Sequence, residues 1–271
     1  MWHKTLNNAL QVPIAVTPDG RADAVSYLPD TGEQVFALPF EGRMKINALL
    51  DALTLPAASK AGKNILYLQQ QNDCLRKDLS ELMEDCVPLM PWADKIFASL
   101  PEAVNLWIGG SESVTSFHKD HYENMYAVIA GQKIFHLLPP CDHHCLRTKL
   151  LPAAQYERID DLASLTTTRL QLRKLESHPE VKWSSIDPRH LPGQSHVGHP
   201  QLKKIFLPAL TATIHPGEVL YLPSLWHHFV EQDAPAGSVC IAVNLWYDMV
   251  FDTKFAYFNL VEKLGDLISC K

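Results

Sequence analysis

The stretch SVTSFHKDHYENMYAVIAGQK, from Ser113 to Lys133, decides the fold of this chain. It contains His118 and Asp120, which are two residues apart. In an extended strand such residues point to the same face, so the imidazole and the carboxylate converge on one spot. Neutral and anionic ligands with no nearby cysteine suit a borderline metal such as Fe(II), Mn(II) or Zn(II). The pair alone is a weak indication, because His-x-Asp also occurs by chance in surface loops.

A second stretch, GEVLYLPSLWHHFV at residues 217–230, strengthens this interpretation. An apolar strand ends at Pro223, a short turn follows, and another strand begins at His227 and His228. If this strand lies beside the strand of His118, then His228 can complete a set of two histidines and one carboxylate. Such a set leaves metal positions open for a cosubstrate and dioxygen, as in non-haem Fe(II) oxygenases.

These two stretches, together with Lys133, resemble the JmjC family of 2-oxoglutarate oxygenases. The runs VPLMPWADKIF, YLQQQ and VNLWYDM make the resemblance strongest to one group of members within that family. It extends from about residue 15 to about residue 264, and only the part at 141–209 matches loosely. The resemblance implies a double-stranded β-helix and the cosubstrates 2-oxoglutarate and O₂. The resemblance also implies that His118, Asp120 and His228 are the Fe(II) ligands.

The resemblance also selects His228 over His227. The family has a His-x-Val sequence at this ligand, which matches His228 and Val230. Because consecutive side chains of a strand point to opposite faces, His227 faces away from the metal in that register.

Lys133 corresponds in the resembled family to the residue that binds the far carboxylate of 2-oxoglutarate. Phe135 and Leu137 share its face in an alternating strand, so the ammonium points toward an apolar interior. Burying a cation is costly unless an anion meets it, and a ligand carboxylate would do so. The alternative is a surface lysine just after a turn.

Further site residues follow from the same resemblance. Thr115 and Tyr67 match positions whose hydroxyls hydrogen-bond the same carboxylate, and Asn124 matches a residue near the metal-bound end of the cosubstrate. Tyr126 lies on the same face of its strand as Asn124. Asn244 is in mid-strand, where a buried amide needs partners, so it either lines the site or only completes hydrogen bonds of the sheet.

The resemblance implies a protein substrate. Within the family, the resemblance is strongest to members that hydroxylate C3 of a lysine in developmentally regulated GTP-binding proteins. Histone lysine demethylation and histone-tail proteolysis are alternatives within the family, and a non-catalytic binding module is an alternative of another class. The intact ligand set argues against such a module.

An unmodified lysine is the expected target. The net charge is negative, and Tyr122, Glu123 and Tyr126 are close enough in sequence to offset the desolvation of its ammonium. A methylated lysine requires an aromatic or carbonyl-lined cage, and no sequence feature identifies one.

Composition excludes several other classes of protein. Of the 271 residues, 46% are hydrophobic and 20% charged, which is typical of globular proteins. A net charge of -6 argues against direct nucleic-acid binding. The chain has no apolar run long enough to cross a membrane, which predicts no membrane partner.

The six cysteines are scattered and do not resemble a secreted disulfide framework. The expected location is therefore the cytoplasm, with the nucleus as a second location. The segment CDHHC at residues 141–145 resembles half of a zinc knuckle. No second ligand pair lies at a finger-like distance, so a polar loop is favoured.

The predicted architecture is mainly β, a double-stranded β-helix of the cupin type with flanking helices. Residues 1–103 supply strands and helices that pack on the barrel, and residues 104–249 form the barrel. An insert near residues 140–209 lacks regular structure in this prediction. Residues 250–271 supply a terminal helix.

Local patterns give the individual elements. Strands are predicted at 11–17, 64–70, 104–108, 125–130, 132–138, 211–215, 219–222, 228–231 and 239–247, with a tight hairpin at Gly131. Helices are predicted at 41–53, 79–83, 92–100 and 251–267. The last helix carries more aromatic residues than one buried stripe needs, which predicts a homodimer contact.

Overall fold

The N-terminal part of the chain contributes strands and short helices to the central barrel. The computed structural model describes residues 10–83, 90–160, 164–190 and 209–269. The strands of this part are β1 (Gln11–Thr17), β2 (Arg21–Ala22), β3 (Ala24–Tyr27), β4 (Gln34–Leu38), β5 (Phe40–Lys45) and β6 (Ile65–Leu68). The helices are α1 (Ile46–Thr54), α2 (Ala57–Lys60), α3 (Cys74–Lys77) and α4 (Pro91–Phe97), with a 3₁₀ turn at Ser80–Leu82.

Helix α1 begins later than its sequence pattern predicts. The periodicity places a helix at 41–53, but residues 40–45 form β5, which pairs antiparallel with β1. Only the apolar residues Ile46, Leu49, Leu50 and Leu53 form the buried face of the helix. The register with β1 decides the conformation of residues 41–45, and that pairing is not visible in a local window.

The barrel consists of eight strands, four in each of two facing sheets, and the chain alternates between the sheets at every step except across the insert. They are β7 (Ala103–Gly109), β8 (Val114–His118), β9 (Tyr122–Ala130), β10 (Gln132–Leu138), β15 (Leu210–Ile214), β16 (Val219–Leu222), β17 (His227–Asp233) and β18 (Cys240–Asp248). The larger sheet has the order β16-β9-β18-β7-β6-β1-β5, and the smaller sheet has the order β15-β10-β17-β8-β2. This alternation is the double-stranded β-helix that the sequence predicts.

The predicted hairpin at Gly131 is wrong. Strands β9 and β10 follow each other through this residue but belong to different sheets. Gly131 has a positive φ of 67°, and a Cβ atom there would lie 2.8 Å from the Asp233 carbonyl oxygen. The residue therefore forms a crowded corner between the two sheets, which only glycine fits.

The insert after β10 is also more regular than predicted. It contains a 3₁₀ turn (Pro140–Leu146) and the strands β11 (Lys149–Leu151), β12 (Ala153–Arg158), β13 (Leu170–Lys174) and β14 (Val181–Trp183), followed by another 3₁₀ turn (Pro188–His190). Strands β12 and β13 join β3 and β4 in a separate sheet, and β11 pairs with β14. The predicted insert also includes residues 161–163 and 191–208, which lie outside the described residues.

Two apolar layers lie on the two faces of the larger sheet. The outer face packs against α1, α3 and α4 through Leu49, Leu75 and Ala93. The inner face closes on the smaller sheet around Tyr126 and Phe135, whose rings meet edge to face. The interior of the barrel is therefore a packed space lined by both sheets.

The last helix, α5 (Thr253–Ser269), packs on the 3₁₀ turn Pro140–Leu146 beside the smaller sheet. Gly265 lies so close to that turn that a Cβ atom would be 3.2 Å from the His144 Cβ. Among the described residues, no helix is long and apolar enough to cross a membrane.

Candidate metal centre

Three potential ligands meet at the open end of the barrel. Strands β8 and β17 are neighbours, and His118 lies directly opposite His228 in their register. The Asp120 Oδ2 atom is 3.8 Å from the His118 Nε2 and 3.6 Å from the His228 Nε2. All three ligand atoms lie within 4.8 Å of one another, and no other group of this kind occurs among the described residues.

Both imidazoles are oriented by backbone carbonyl groups. The His118 Nδ1 donates to the Ser116 carbonyl oxygen at 2.9 Å, and the His228 Nδ1 donates to that of Trp226 at 3.0 Å. This tautomer leaves the Nε2 lone pair of each ring directed at the shared site. Burial lowers the pKa of His228 to about 4, and His118 acts in the same direction. His228 is therefore neutral at pH 7, the form that binds a metal.

The turn before β17 is anchored to the loop that carries Asp120. The Leu225 backbone N–H donates to the Asp120 carbonyl oxygen at 2.9 Å. Leu225 is buried and has a positive φ of 68°, a strained conformation for a leucine. Such strain persists only where surrounding contacts enforce it, so this turn holds the two ligand-bearing segments in a fixed relation.

His227 lies on the opposite face of β17 from the ligands. Its Nε2 is 3.2 Å from the Nδ1 of His143, a buried residue of the CDHHC segment. Burial, with the neighbouring His143, lowers the pKa of His227 to about 3. Within that segment Cys141 is exposed while His143 is buried against β17, so these side chains do not converge on one site.

Lys133 is buried in the barrel, 1% exposed. Its ammonium donates to the Tyr67 hydroxyl at 3.0 Å and to the Gln232 Oε1 at 2.5 Å. Both acceptors are neutral, and no carboxylate of the described residues forms an ion pair with Lys133. Burial alone lowers its pKa, but the phenol oxygens of Tyr126 and Tyr67 raise it above the usual value, so the charge is retained. The interior thus holds a cation that lacks an anion.

Thr115 reaches the same interior because β8 contains a bulge. Thr115 pairs with Val230 and His118 pairs with His228, so three steps on β8 match two on β17. Since Val230 and His228 share one face of β17, the bulge brings Thr115 and His118 to one face as well. A regular strand would have placed them on opposite faces.

Three polar side chains form a chain across the larger sheet. The Asn244 Nδ2 donates to the Asn124 Oδ1 at 3.2 Å, and the Trp107 Nε1 donates to the Asn244 Oδ1 at 2.8 Å. Tyr126, two residues after Asn124, is buried against Phe135 and near the Lys133 ammonium. Asn244 therefore supports Asn124 from within the barrel. It combines the two roles that the sequence left open, because it lies beside a predicted site residue and also completes hydrogen bonds across the sheet.

The expected role of Glu123 is wrong. Its carboxylate accepts hydrogen bonds from the Tyr221 hydroxyl at 2.7 Å, the Ser224 hydroxyl at 2.8 Å and the Ser224 N–H at 3.1 Å. Glu123 lies on the face of β9 opposite to Asn124, because adjacent strand residues alternate. It fixes the start of the turn before His228, on the face of β9 that points away from Asn124.

Three residues of this region were not identified from sequence. Gln232 lies two residues after Val230, on the same interior face of β17, so the alternation of the strand could have identified it. Trp107 binds Asn244 across 137 residues, and no local pattern reveals such a contact. Burial raises the pKa of the Asp23 carboxyl, and the His118 imidazole acts in the opposite direction, so Asp23 lies near His118. No feature of its local sequence indicates this position.

The donor set fits the predicted metal and cosubstrate. Two imidazoles and one carboxylate at one corner of a site are the ligands of non-haem Fe(II) centres with open positions. The isolated Lys133 ammonium, on the interior face that also carries His228, offers a partner for the far carboxylate of 2-oxoglutarate.

Comparison with known proteins gives consistent results. A family model described as "Cupin-like domain" matches residues 3–253. The Arabidopsis thaliana protein "Lysine-specific demethylase JMJ32" is 44% identical, over 93% of this chain and 71% of that protein. The human "Bifunctional peptidase and (3S)-lysyl hydroxylase JMJD7" is 37% identical, over 94% and 73%. The Dictyostelium discoideum "JmjC domain-containing protein E" is 31% identical, over 94% and 74%.

Proposed function

Because this chain belongs to the cupin-like JmjC family, whose members depend on Fe(II), 2-oxoglutarate and O₂, we propose that it hydroxylates C3 of an unmodified lysine in a protein substrate. The substrate class that we propose is a developmentally regulated GTP-binding protein. The observation that carries the oxygenase activity is that the three ligands occur together with a buried ammonium that has no anionic partner among the described residues. The similarity to the human lysyl hydroxylase supports the choice of lysine.

Each proposed role is assigned to a side chain of the site described above. His118, Asp120 and His228 hold the metal, and their backbone partners orient both imidazoles. When bound, Fe(II) supplies the activation of O₂ that oxidises an unreactive C–H bond, while 2-oxoglutarate becomes succinate and CO₂. Lys133 receives the far carboxylate of 2-oxoglutarate.

The remaining polar residues position the cosubstrate. The hydroxyls of Tyr67 and Thr115 share the far carboxylate with Lys133, and the Tyr67 hydroxyl already accepts a hydrogen bond from the ammonium. Asn124, supported by Asn244, lies toward the metal-bound end. Tyr126 closes the apolar wall around the chain of the cosubstrate.

Demethylation of a methylated lysine is the second candidate, favoured by the 44% identity to a protein named as a lysine-specific demethylase. The half-buried carboxylate of Asp23 beside His118 supports hydroxylation instead. An unmodified ammonium can donate hydrogen bonds to such a carboxylate, whereas a trimethylated one cannot.

We also propose that the protein is a homodimer formed through α5. Four residues of this helix, Tyr257, Leu260, Leu264 and Leu267, are exposed and follow one stripe. A contiguous apolar patch of this kind on a soluble surface usually marks an interface.

The test of the proposed reaction uses matched lysine peptides that carry either a plain or a trimethylated side chain. Each is incubated with the enzyme, Fe(II), 2-oxoglutarate and O₂, and the products are analysed by mass spectrometry. We expect the plain peptide to gain one oxygen atom with an equivalent of succinate. Formaldehyde from the trimethylated peptide, without hydroxylation of the plain one, would establish demethylation instead.

A further inference from the structure

A groove of about 700 Å³ is lined by residues of β1 and β5 in the larger sheet and by the segment that follows β6. Asp23 lines the groove, and its carbonyl oxygen accepts a hydrogen bond from the Ser116 hydroxyl at 2.6 Å, two residues before His118. Asp23 therefore connects the groove to β8, the strand that carries His118.

The floor of the groove continues the inner surface of the barrel. Ala15 pairs with Tyr67 on one side and with Glu41 on the other, so the three residues form one row across β6, β1 and β5. Residues directly opposite each other share a face of the sheet. Because the Tyr67 hydroxyl contacts Lys133 inside the barrel, Glu41 lies on the outward continuation of that interior face.

Two carboxylates, those of Asp23 and Glu41, and one guanidinium, that of Arg43, line the groove. The Asp23 carboxylate is half-buried and is contacted by the Gln69 amide at 3.5 Å, and the Glu41 side chain is exposed. In the described part of the chain, no lysine or arginine forms an ion pair with either group. A cation that binds near these two groups would therefore offset the charge of both carboxylates.

The walls of the groove are rich in side-chain amides. Five of them line it: Gln69, Gln70, Gln71, Asn72 and Gln155. The Gln70 Oε1 is buried without a hydrogen-bond partner among the described residues. Amides both donate and accept, which suits the alternating N–H and C=O groups of an extended peptide backbone.

We propose that this groove binds the substrate polypeptide in an extended form and that Asp23 and Glu41 select basic side chains. Asp23, next to His118, receives the ammonium of the target lysine. Glu41, farther along the floor, receives a second basic residue of the peptide. This assignment rests on the proposed lysine hydroxylation and specifies which surface recognises the substrate.

The variants Asp23→Asn and Glu41→Gln remove these charges with little change of shape. Asp23 has a positive φ of 53°, which asparagine tolerates well, so the first variant keeps the backbone. Asp51→Asn is the matched control, because Asp51 is exposed on α1, on the opposite face of the larger sheet.

The measurement is fluorescence anisotropy with a labelled peptide that carries a central lysine and a neighbouring lysine. The protein is loaded with Mn(II) and 2-oxoglutarate without O₂, so that binding is separated from turnover. We expect each groove variant to bind about tenfold more weakly, whereas Asp51→Asn binds as the wild type does. A peptide with norleucine in place of the central lysine should bind the wild type and Asp23→Asn equally.

Two outcomes would overturn the proposal. One is equal affinity of wild type and both groove variants for the lysine peptide, and the other is wild-type binding that does not distinguish lysine from norleucine. Turnover separates this result from the proposed function. Hydroxylation with an unchanged peptide KM in both variants leaves the function standing and rejects the groove. Selective binding through Asp23 and Glu41 without hydroxylation supports the groove and rejects the function.

Discussion

At the scale of single residues, the barrel interior is organised around the ammonium of Lys133. It is one of the largest fully buried side chains, and its acceptors, Tyr67 and Gln232, are neutral. Gly109 makes this arrangement sterically possible, because a Cβ atom there would collide with both acceptor side chains. Burial of this charge therefore destabilises the folded protein until a bound anion offsets it.

Lys133→Met should raise the 2-oxoglutarate KM about ten- to a hundredfold, because a charge-assisted hydrogen bond contributes roughly 1.5–3 kcal/mol. Fe(II) affinity should change little, and the metal-free protein should not melt at a lower temperature, since a buried charge is removed. Initial rates at varied 2-oxoglutarate, with Lys95→Met on the exposed side of α4 as control, provide the measurement. An unchanged KM would exclude Lys133 from the site.

Much of the site could be predicted from sequence because strand period is a local property. Alternation brings His118 and Asp120 together and turns Lys133 inward, whereas the choice of His228 and the role of Lys133 follow from the resemblance to the JmjC family. Asp23 could not be predicted, since it approaches His118 only through packing between distant segments. Glu123 was misassigned because closeness in sequence to Asp120 does not determine the face on which a side chain lies.

At the scale of elements, Gly131 shows where local patterns fail. Apolar segments separated by one glycine predict a hairpin, yet the chain turns from one sheet into the other there. The nine strands predicted from the sequence lie within a few residues of their observed bounds, because alternation and turn residues are local signals. Strands β2 to β5 were not among them. The partners of the predicted strands, and the strands of the insert, depend on pairing with residues far away in the sequence.

Gly131→Ala should lower the free energy of unfolding by about 2–3 kcal/mol, because it combines a positive φ with a clash at the Asp233 carbonyl. Gly62→Ala is the control, since Gly62 has a φ of 71° but nothing within 4 Å of the added Cβ, and should cost ~1 kcal/mol. Urea unfolding of both variants provides the comparison. Equal losses would show that the corner at Gly131 is not crowded.

Helix α5 is tied to the ligand-bearing strands by Glu262. Its carboxylate pairs with Lys119, which lies between two ligands in sequence, and with Lys182 at 3.2 Å. Burial alone would raise the pKa of Glu262, but the hydrogen bond and charge of Lys119, with His143 and Lys182, lower it to about 2. The folded state therefore binds this proton more weakly than the unfolded chain, whose pKa is near 4.3.

Glu262→Gln should lower the free energy of unfolding by about 1–3 kcal/mol at pH 7. A depressed pKa gives stability that is present above the unfolded value and is lost as the pH falls toward the folded value. The difference from wild type should therefore be full above about pH 5 and shrink as the pH falls from there toward 2. Denaturant titrations across this range test it.

Glu33→Gln is the control for that experiment, because its pair with Lys174 is exposed and should contribute less than about 1 kcal/mol. A wild-type advantage over Glu262→Gln that stays constant between pH 7 and pH 3 would contradict the role of this carboxylate.

At the scale of the whole molecule, the exposed stripe of α5 predicts self-association. Leu260→Glu and Leu264→Glu place charges in the centre of that stripe and should convert a dimer into a monomer. Light scattering at micromolar concentration measures the mass, and retained Fe(II) binding shows that the barrel is intact. A monomeric mass for the wild type would reject the dimer.

Anaerobic Fe(II) titration of paired histidine variants tests most directly whether His118, Asp120 and His228 hold the metal. His228→Ala removes one of three ligands and should weaken Fe(II) binding by about a hundredfold or more, since even residues behind the ligands contribute ten- to a hundredfold. His227→Ala changes the adjacent residue on the opposite face and should bind Fe(II) with nearly wild-type affinity. Unchanged binding in His228→Ala, together with loss in His227→Ala, would contradict the account.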